Sequence, residues 1–162
     1  MKSTFNSWYD QKMYATPELA AETERVEGIL ERVKTVAVVG ISKNPQKDSY
    51  FVARYLKNAG YRVVPVNPTA TELLDQPCYP DLASIPGPVD AVDIFRRPED
   101  IPATVREAIA LRPIVIWCQL GTGDHPELKA EVEAHGIAFI QERCMKVDHQ
   151  FLIRPKSDAS YA

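Results

Sequence analysis

A chain of 162 residues fits one domain, with a core large enough to fold without disulfide or metal staples. Its 45% hydrophobic and 25% charged residues are an ordinary globular composition, which excludes a disordered or fibrous chain. A net charge of −3 argues against a general nucleic-acid or membrane surface, while leaving room for a local basic pocket for a small anion.

Residues 1–15 alternate polar and aromatic positions without a period, as in a loose arm or a segment packed on the surface. Thr16-Pro17-Glu18 is a helix start, with a Thr cap, Pro at the first helical position and acid in the first turn. That helix runs to about residue 33 and places Leu19, Val26, Ile29, Leu30 and Val33 near one face. Residues 36–39 form a continuous apolar run, the mark of a parallel strand covered on both faces. Asp48 or Ser49 caps the next helix, whose Phe51, Val52, Tyr55, Leu56 and Ala59 form a stripe closed by Gly60. A second strand covers 61–66. The proline-rich stretch 67–88 reads as a turn-rich excursion, with short helices over 71–74 and 81–84. Strand three covers 89–95, and Arg96-Arg97-Pro98-Glu99-Asp100 breaks it and opens a helix carrying Ile101, Val105, Ala108 and Ile109. The fourth strand is 113–119, the next helix 126–134, and the fifth strand 137–141. Residues 142–153 add a helical turn before a frayed tail.

Strands that alternate with helices in this way build a doubly wound parallel sheet, because parallel neighbours need right-handed crossovers. The expected α/β fold is a five-stranded Rossmann-like sheet with strand order 3-2-1-4-5 and a switch point between strands 1 and 4. The organisation is a 1–15 arm, one domain over 16–153 and a tail over 154–162.

Ligands of such sheets sit beyond the strand C-termini, so four loops carry the chemistry. In the first, Gly40 matches the first glycine of G-x-G-x-x-G, but Ser42 and Pro45 stand at the second and third places. A pyrophosphate cannot approach that backbone in the usual way. The loop nonetheless offers amides, the Ser42 and Ser49 hydroxyls, and Lys43 and Lys47, an anion cradle at a helix start. The second loop has Asn67-Pro68 and no acid before Glu72. A NAD enzyme wants an acid there for the ribose diol, and no nearby Arg suits NADP. Asn67 and Pro68 form either a rigid lip for an adenosine or a simple turn. The third loop brings Arg96 and Arg97, suited to bidentate phosphate contacts unless one of them pairs with Glu99 or Asp100. The fourth contributes Gln119 and Gly121 beside the switch point, with Trp117 in the core.

The catalytic inventory is poor. His125, His135 and His149 have no nearby nucleophile or carboxylate at a telling spacing, which favours capping and surface roles. Asp90 and Asp93 are three apart on a strand and face opposite ways. Cys78, Cys118 and Cys144 are odd in number and lack metal-ligand spacing, so they read as reduced thiols of a cytoplasmic protein. No signal-peptide stretch or run of roughly 18 apolar residues is present.

With these loops assembled, the chain resembles the stand-alone CoA-binding domain proteins, which are similar to the CoA-binding domain of the succinyl-CoA synthetase α subunit. The resemblance covers about residues 25 to 153. It rests on Val38-Val39-Gly40-Ile41-Ser42 with Asn44-Pro45, on Gly60-Tyr61-Arg62-Val63-Val64-Pro65-Val66-Asn67-Pro68, and on Val89-Asp90 with Asp93-Ile94-Phe95-Arg96-Arg97-Pro98. Trp117-Cys118-Gln119-Leu120-Gly121 and Glu142-Arg143-Cys144-Met145-Lys146-Val147-Asp148-His149 complete it. Each motif alone is weak, and the five in this order are specific. Cys118 and Glu142 stand where the family often has Leu and Asp.

The resemblance implies coenzyme A or an acyl-CoA, with its pyrophosphate on Gly40, Ile41, Ser42, Lys43, Asn44, Pro45, Lys47 and Ser49. It puts the adenosine near Asn67 and Pro68, a phosphate on Arg96 or Arg97, and the pantetheine arm beside Gln119 and Gly121. The adenosine of CoA carries a 3′-phosphate and has no free diol, so the missing acid after strand two is no handicap. Ligase chemistry in that relative needs a further domain and a partner subunit. The expectation is therefore a binding, carrier or sensing module, alone or with a protein partner or second copy. The alternative is a small NAD(P)- or nucleotide-dependent component whose partner supplies the catalytic groups.

Overall fold

The structure, a computed structural model, describes residues 7–155. In chain order its elements are α1 (Trp8–Met13), α2 (Pro17–Arg32), β1 (Thr35–Val39), α3 (Asp48–Asn58), β2 (Arg62–Val66), β3 (Glu72–Leu73) and β4 (Gln76–Pro77). A 3-10 turn at Leu82–Ser84, β5 (Ala91–Ile94), a second 3-10 turn at Pro98–Asp100, α4 (Ile101–Ile109) and β6 (Val115–Gln119) follow. The chain closes with α5 (Pro126–Glu133), β7 (Ala138–Arg143) and α6 (Met145–Leu152). Two units result: Val33–Lys146 holds the sheet, and 7–32 with 147–155 form a helical unit.

The sheet is parallel throughout and five-stranded, as the alternation predicts. Its order is β2-β1-β5-β6-β7, which in strand succession is 2-1-3-4-5 and corrects the expected 3-2-1-4-5. Pro65 supplies the physical reason. The Val66 carbonyl accepts from Gly40 N at 3.2 Å on the β1 side, so the backbone edge of Pro65 points outward. A third strand laid there would meet a residue with no N–H to donate. Only a fragment joins that edge, with Tyr79 N donating to the Pro65 carbonyl at 3.0 Å and Asn67 N to the Tyr79 carbonyl at 2.9 Å. Strand three, buried at all four of its positions, takes the interior place instead. The switch point therefore lies between β1 and β5, and the crevice opens above the loops that follow those two strands.

Alternate strand residues Ala37, Val39, Val64, Val66, Val92, Ile94, Ile116 and Phe139 form one face of the sheet. They pack with Ile101, Val105 and Ala108 of α4 and Leu128 and Val132 of α5 in one buried cluster. Right-handed crossovers running the other way put α3 on the opposite face, where Val52, Ala53 and Leu56 are buried. Neither Asp48 nor Ser49 caps α3; Lys47 is the N-cap residue and makes no side-chain cap bond. Ser49 is buried instead, and Phe51, expected in the stripe, is 47% exposed.

The expected helix over 71–74 is a hairpin. Leu74 and Asp75 both sit at φ 56°, the paired left-handed conformation of a two-residue type I′ turn. Residues 81–84 do form a helical turn, a 3-10 one capped by the Asp81 carboxylate, which accepts from Ser84 N at 2.9 Å. After β7 the chain forms two full turns of α6 rather than one.

In the helical unit the segment expected as a loose arm or as packed on the surface contains α1. Ser7 caps it, accepting from Asp10 N at 3.0 Å. Tyr9 is wholly buried, donates its hydroxyl to Asp148 Oδ1 at 2.5 Å, and stacks on Phe151 at 4.6 Å between centroids. Thr16 Oγ1 accepts from Leu19 N at 3.1 Å as the expected cap of α2, and Val26, Ile29 and Leu30 are buried while Leu19 is not. Residues 1–6 of the arm and 156–162 of the tail lie outside the described residues. No helix among the described residues is long and apolar enough to cross a membrane.

Candidate functional site

The loop after β1 is held from both sides. Gly40 has φ +83°, and a Cβ there would collide with the Phe95 carbonyl oxygen. Glycine is thus required where the β1 and β5 loops touch backbone to backbone. Ile41 is buried, and its carbonyl accepts from Asn67 Nδ2 at 2.8 Å. The Ser42 amide donates to Ser49 Oγ at 2.9 Å, Asn44 N to Ser42 Oγ at 3.0 Å, Gln46 N to Asn44 Oδ1 at 3.0 Å, and Lys47 N to the Asn44 carbonyl at 3.0 Å.

These bonds narrow the expected cradle. Four of the loop amides are engaged within the loop or with Ser49, and Pro45 has none to give. What remains for an anion is the first turn of α3. Its first bond of i to i−4 type runs from Phe51 N to the Lys47 carbonyl at 3.0 Å, so the amides of Asp48, Ser49 and Tyr50 precede the helical ladder. Lys43 and Lys47 are exposed beside this turn, against the single exposed acid Asp48.

Asn67 ties the second loop to the first. While its amide nitrogen bonds Ile41, its Oδ1 accepts from Thr69 N at 2.7 Å and Thr69 Oγ1 at 2.8 Å. The side chain is therefore a staple, and Pro68 beside it is the exposed part of the lip. Cys78 packs against this turn, its Sγ 3.7 Å from the Asn67 carbonyl, and burial pushes its thiol pKa up.

The two arginines separate. Arg97 Nε reaches Asp100 Oδ2 at 3.1 Å and Glu99 Oε1 at 3.5 Å. Hydrogen bonding and attraction to Asp100, with help from Glu99, raise its pKa. Arg96 lies against Gly40, its Cδ 3.5 Å from the position of a Cβ there, and forms no ion pair among the described residues.

In the fourth loop Gln119 is buried. Its Oε1 accepts from Met145 N at 3.4 Å and its carbonyl from Thr122 N at 3.1 Å and Thr122 Oγ1 at 2.7 Å. Gly121 is exposed at φ +92°, and its amide donates to Glu142 Oε1 at 3.2 Å, as does Gly123 N at 3.0 Å. Glu142, itself at φ 56°, is a loop organiser that the sequence reading treats only as a departure from a motif. Trp117 is wholly buried and donates Nε1 to the Arg143 carbonyl at 2.8 Å, a core residue as expected.

His125 stands at the N-cap position of α5, with its amide on Gln141 Oε1 at 2.8 Å and its ring Nε2 on the Thr122 carbonyl at 3.0 Å. His149 is buried rather than exposed in a tail, and burial, with Arg154 nearby, lowers its pKa. Asp90 and Asp93 do not meet. Asp90 Oδ2 straps Lys34 N at 2.9 Å and Thr35 N at 3.0 Å, at the far end of the sheet. Asp93 is wholly buried, neither carboxylate oxygen has a hydrogen-bond partner, and burial holds its pKa well above the usual carboxylate range. Burial, with Asp93 and Glu142 nearby, pushes the Cys118 thiol up to about 12. Cys78, Cys118 and Cys144 form no disulfide, and no metal-ligating cluster of His, Cys, Asp or Glu occurs among the described residues.

The sequence model of the CoA binding domain matches residues 34–150. The Bacillus subtilis protein YneT is 36% identical over 124 residues, covering 76% of this chain and 91% of its own. Acetate–CoA ligase (ADP-forming) II of Archaeoglobus fulgidus is 34% identical over 76 residues, which are 46% of this chain and 11% of the ligase. Among solved structures, cell-free ID.343 of Thermus thermophilus superposes with a TM-score of 0.75 at 36% identity, over 81% of this chain and 98% of that one.

Proposed function

The chain belongs to the CoA-binding domain family, and on that premise we propose that it binds coenzyme A or an acyl-CoA as a carrier or sensing module rather than a catalyst. The observation that carries this reading is the first turn of α3. Its leading amides precede the helical ladder, the N-cap residue makes no side-chain bond, and Lys43, Lys47 and Arg96 flank the loop that leads into it. A helix start of this kind favours a phosphate through its donors and its dipole together.

In this reading the pyrophosphate lies on the start of α3, with Ser42 and Ser49 holding the loop in shape. Arg96 supplies a guanidinium to a phosphate, while Arg97 stays with its acids. Asn67 fixes the lip against which the adenosine rests, with Pro68 as its exposed surface. Gln119 and Gly121 border the arm that ends in the thiol, the atom that carries an acyl group when one is present. These residues fit CoA better than NAD, because β2 is followed by Asn67 where a ribose diol wants a carboxylate. The binding reading is favoured over a catalytic one because His125, the histidine beside the fourth loop, is held by Gln141 and the Thr122 carbonyl.

Titration calorimetry of the full chain with CoA, acetyl-CoA, NAD and ATP tests the proposal. Saturable heat with CoA and little with NAD is the expected result. Tight NAD binding with no response to CoA overturns it, and acyl transfer or ligation by the purified chain alone overturns the non-catalytic part.

A further inference from the structure

Phe51 is a large apolar side chain left 47% exposed near the start of α3. Two cations share its ring. Arg54 Cζ and Lys146 Nζ each lie 5.2 Å from the Phe51 centroid, and Lys146 Nζ is also 5.3 Å from the centroid of Tyr55. Three other arginines of this acidic chain hold carboxylates: Arg25 with Glu22, Arg97 with Asp100 and Arg106 with Glu131, whereas among the described residues Arg96 does not. Among the described residues neither Arg54 nor Lys146 forms an ion pair. An anion that reached both cations would be attracted by each. The ring keeps them in place meanwhile, through the attraction of its face for cations and contact with their apolar stems.

The position of the patch indicates which anion. Ser49, two residues before Phe51, accepts the Ser42 amide, so the patch begins at the foot of the proposed phosphate loop. Lys146 follows Met145, whose amide bonds Gln119 Oε1 in the loop proposed to border the pantetheine arm. The cluster thus joins the element that would hold the pyrophosphate to the one that would flank the thiol end. The phosphates of CoA already have the start of α3 and Arg96. The remaining place for a negative charge on such a ligand is its acyl group.

We propose that Phe51, Arg54 and Lys146 form an acyl-end subsite that selects CoA thioesters whose acyl group ends in a carboxylate. The inference rests on the CoA reading above. Calorimetry of the full chain with CoA, butyryl-CoA and glutaryl-CoA separates the two. Glutaryl-CoA should bind about tenfold tighter than butyryl-CoA at low salt, as expected for one carboxylate gaining charge-assisted bonds. Arg54→Gln and Lys146→Gln should each reduce that preference and together abolish it, leaving CoA and butyryl-CoA affinities within about twofold. The single variants keep the test available if the double variant does not fold. Equal affinity for the two thioesters, or a preference that survives the substitutions, overturns the subsite while CoA binding still stands. Absence of any CoA binding removes both readings.

Discussion

Asp93→Asn gives a direct measure of what the interior of this sheet costs. Asp93 lies between Val38 of β1 and Trp117 of β6, wholly buried and without a hydrogen-bond partner for either oxygen. Burial disfavours the charged form, so the folded-state pKa is raised above the value of about 3.9 expected in the unfolded chain. The sign follows from linkage. Stability is fully present below the unfolded pKa and declines as pH rises toward the folded one, because the unfolded carboxyl ionises first. The slope in that window is about 1.4 kcal/mol per pH unit, so a two-unit span within it is worth about 2.7 kcal/mol. Asn removes the titration and keeps the shape, but leaves an unpaired buried amide costing about 1–3 kcal/mol. The variant should therefore be equal to or less stable than the wild type near pH 4 and overtake it as pH rises to 7. Urea unfolding of both proteins at half-unit steps reads this out, other titrating groups cancelling in the difference. Parallel stability curves, with no pH dependence in the difference, would refute an uncharged Asp93 in the folded state.

Three further outcomes follow from the site. Arg96→Ala should weaken CoA binding by about 1.5–3 kcal/mol, the scale of a hydrogen bond to a charged group, whereas Arg97→Ala should leave it nearly unchanged because its guanidinium is already held by exposed acids; equal effects in calorimetry would contradict the separation. Gly40→Ala should lower the unfolding free energy read from urea titration by at least about 1–2 kcal/mol, since alanine must adopt φ +83° and displace the Phe95 carbonyl. Asp75→Gly should raise thermal stability by a few tenths to about 1 kcal/mol by relieving a left-handed position in the hairpin turn, and no change in melting temperature would count against strain there.

Alternation of apolar runs with helical stripes made the α/β class legible, because strands covered on both faces read as unbroken Val and Ile. The strand order was in principle legible too, through Pro65, but periodicity does not say which edge of a strand a proline faces. That depends on the Gly40–Val66 bond, which only the folded register creates. The hairpin at residues 72–77 stayed hidden because Leu74-Asp75 lacks the Asn-Gly or Asp-Gly signature of its turn. At the site, the acids two and three residues beyond Arg97 were visible as competitors, and the structure places them on it. The role of Asn67 as a staple was not visible, since its partner Ile41 is 26 residues away. Phe51 was absorbed into an apolar stripe because helical spacing cannot show that two cations cover the ring.

The outward-facing Pro65 also bears on how copies of this chain can associate. A neighbouring strand added beside β2 would find a missing donor at Pro65 and the acceptor and donor on either side already taken by Tyr79. Continuation of the sheet from one molecule into the next is blocked on that side. The other edge strand of the five-stranded sheet is β7, so extension of that sheet by strand addition runs through β7.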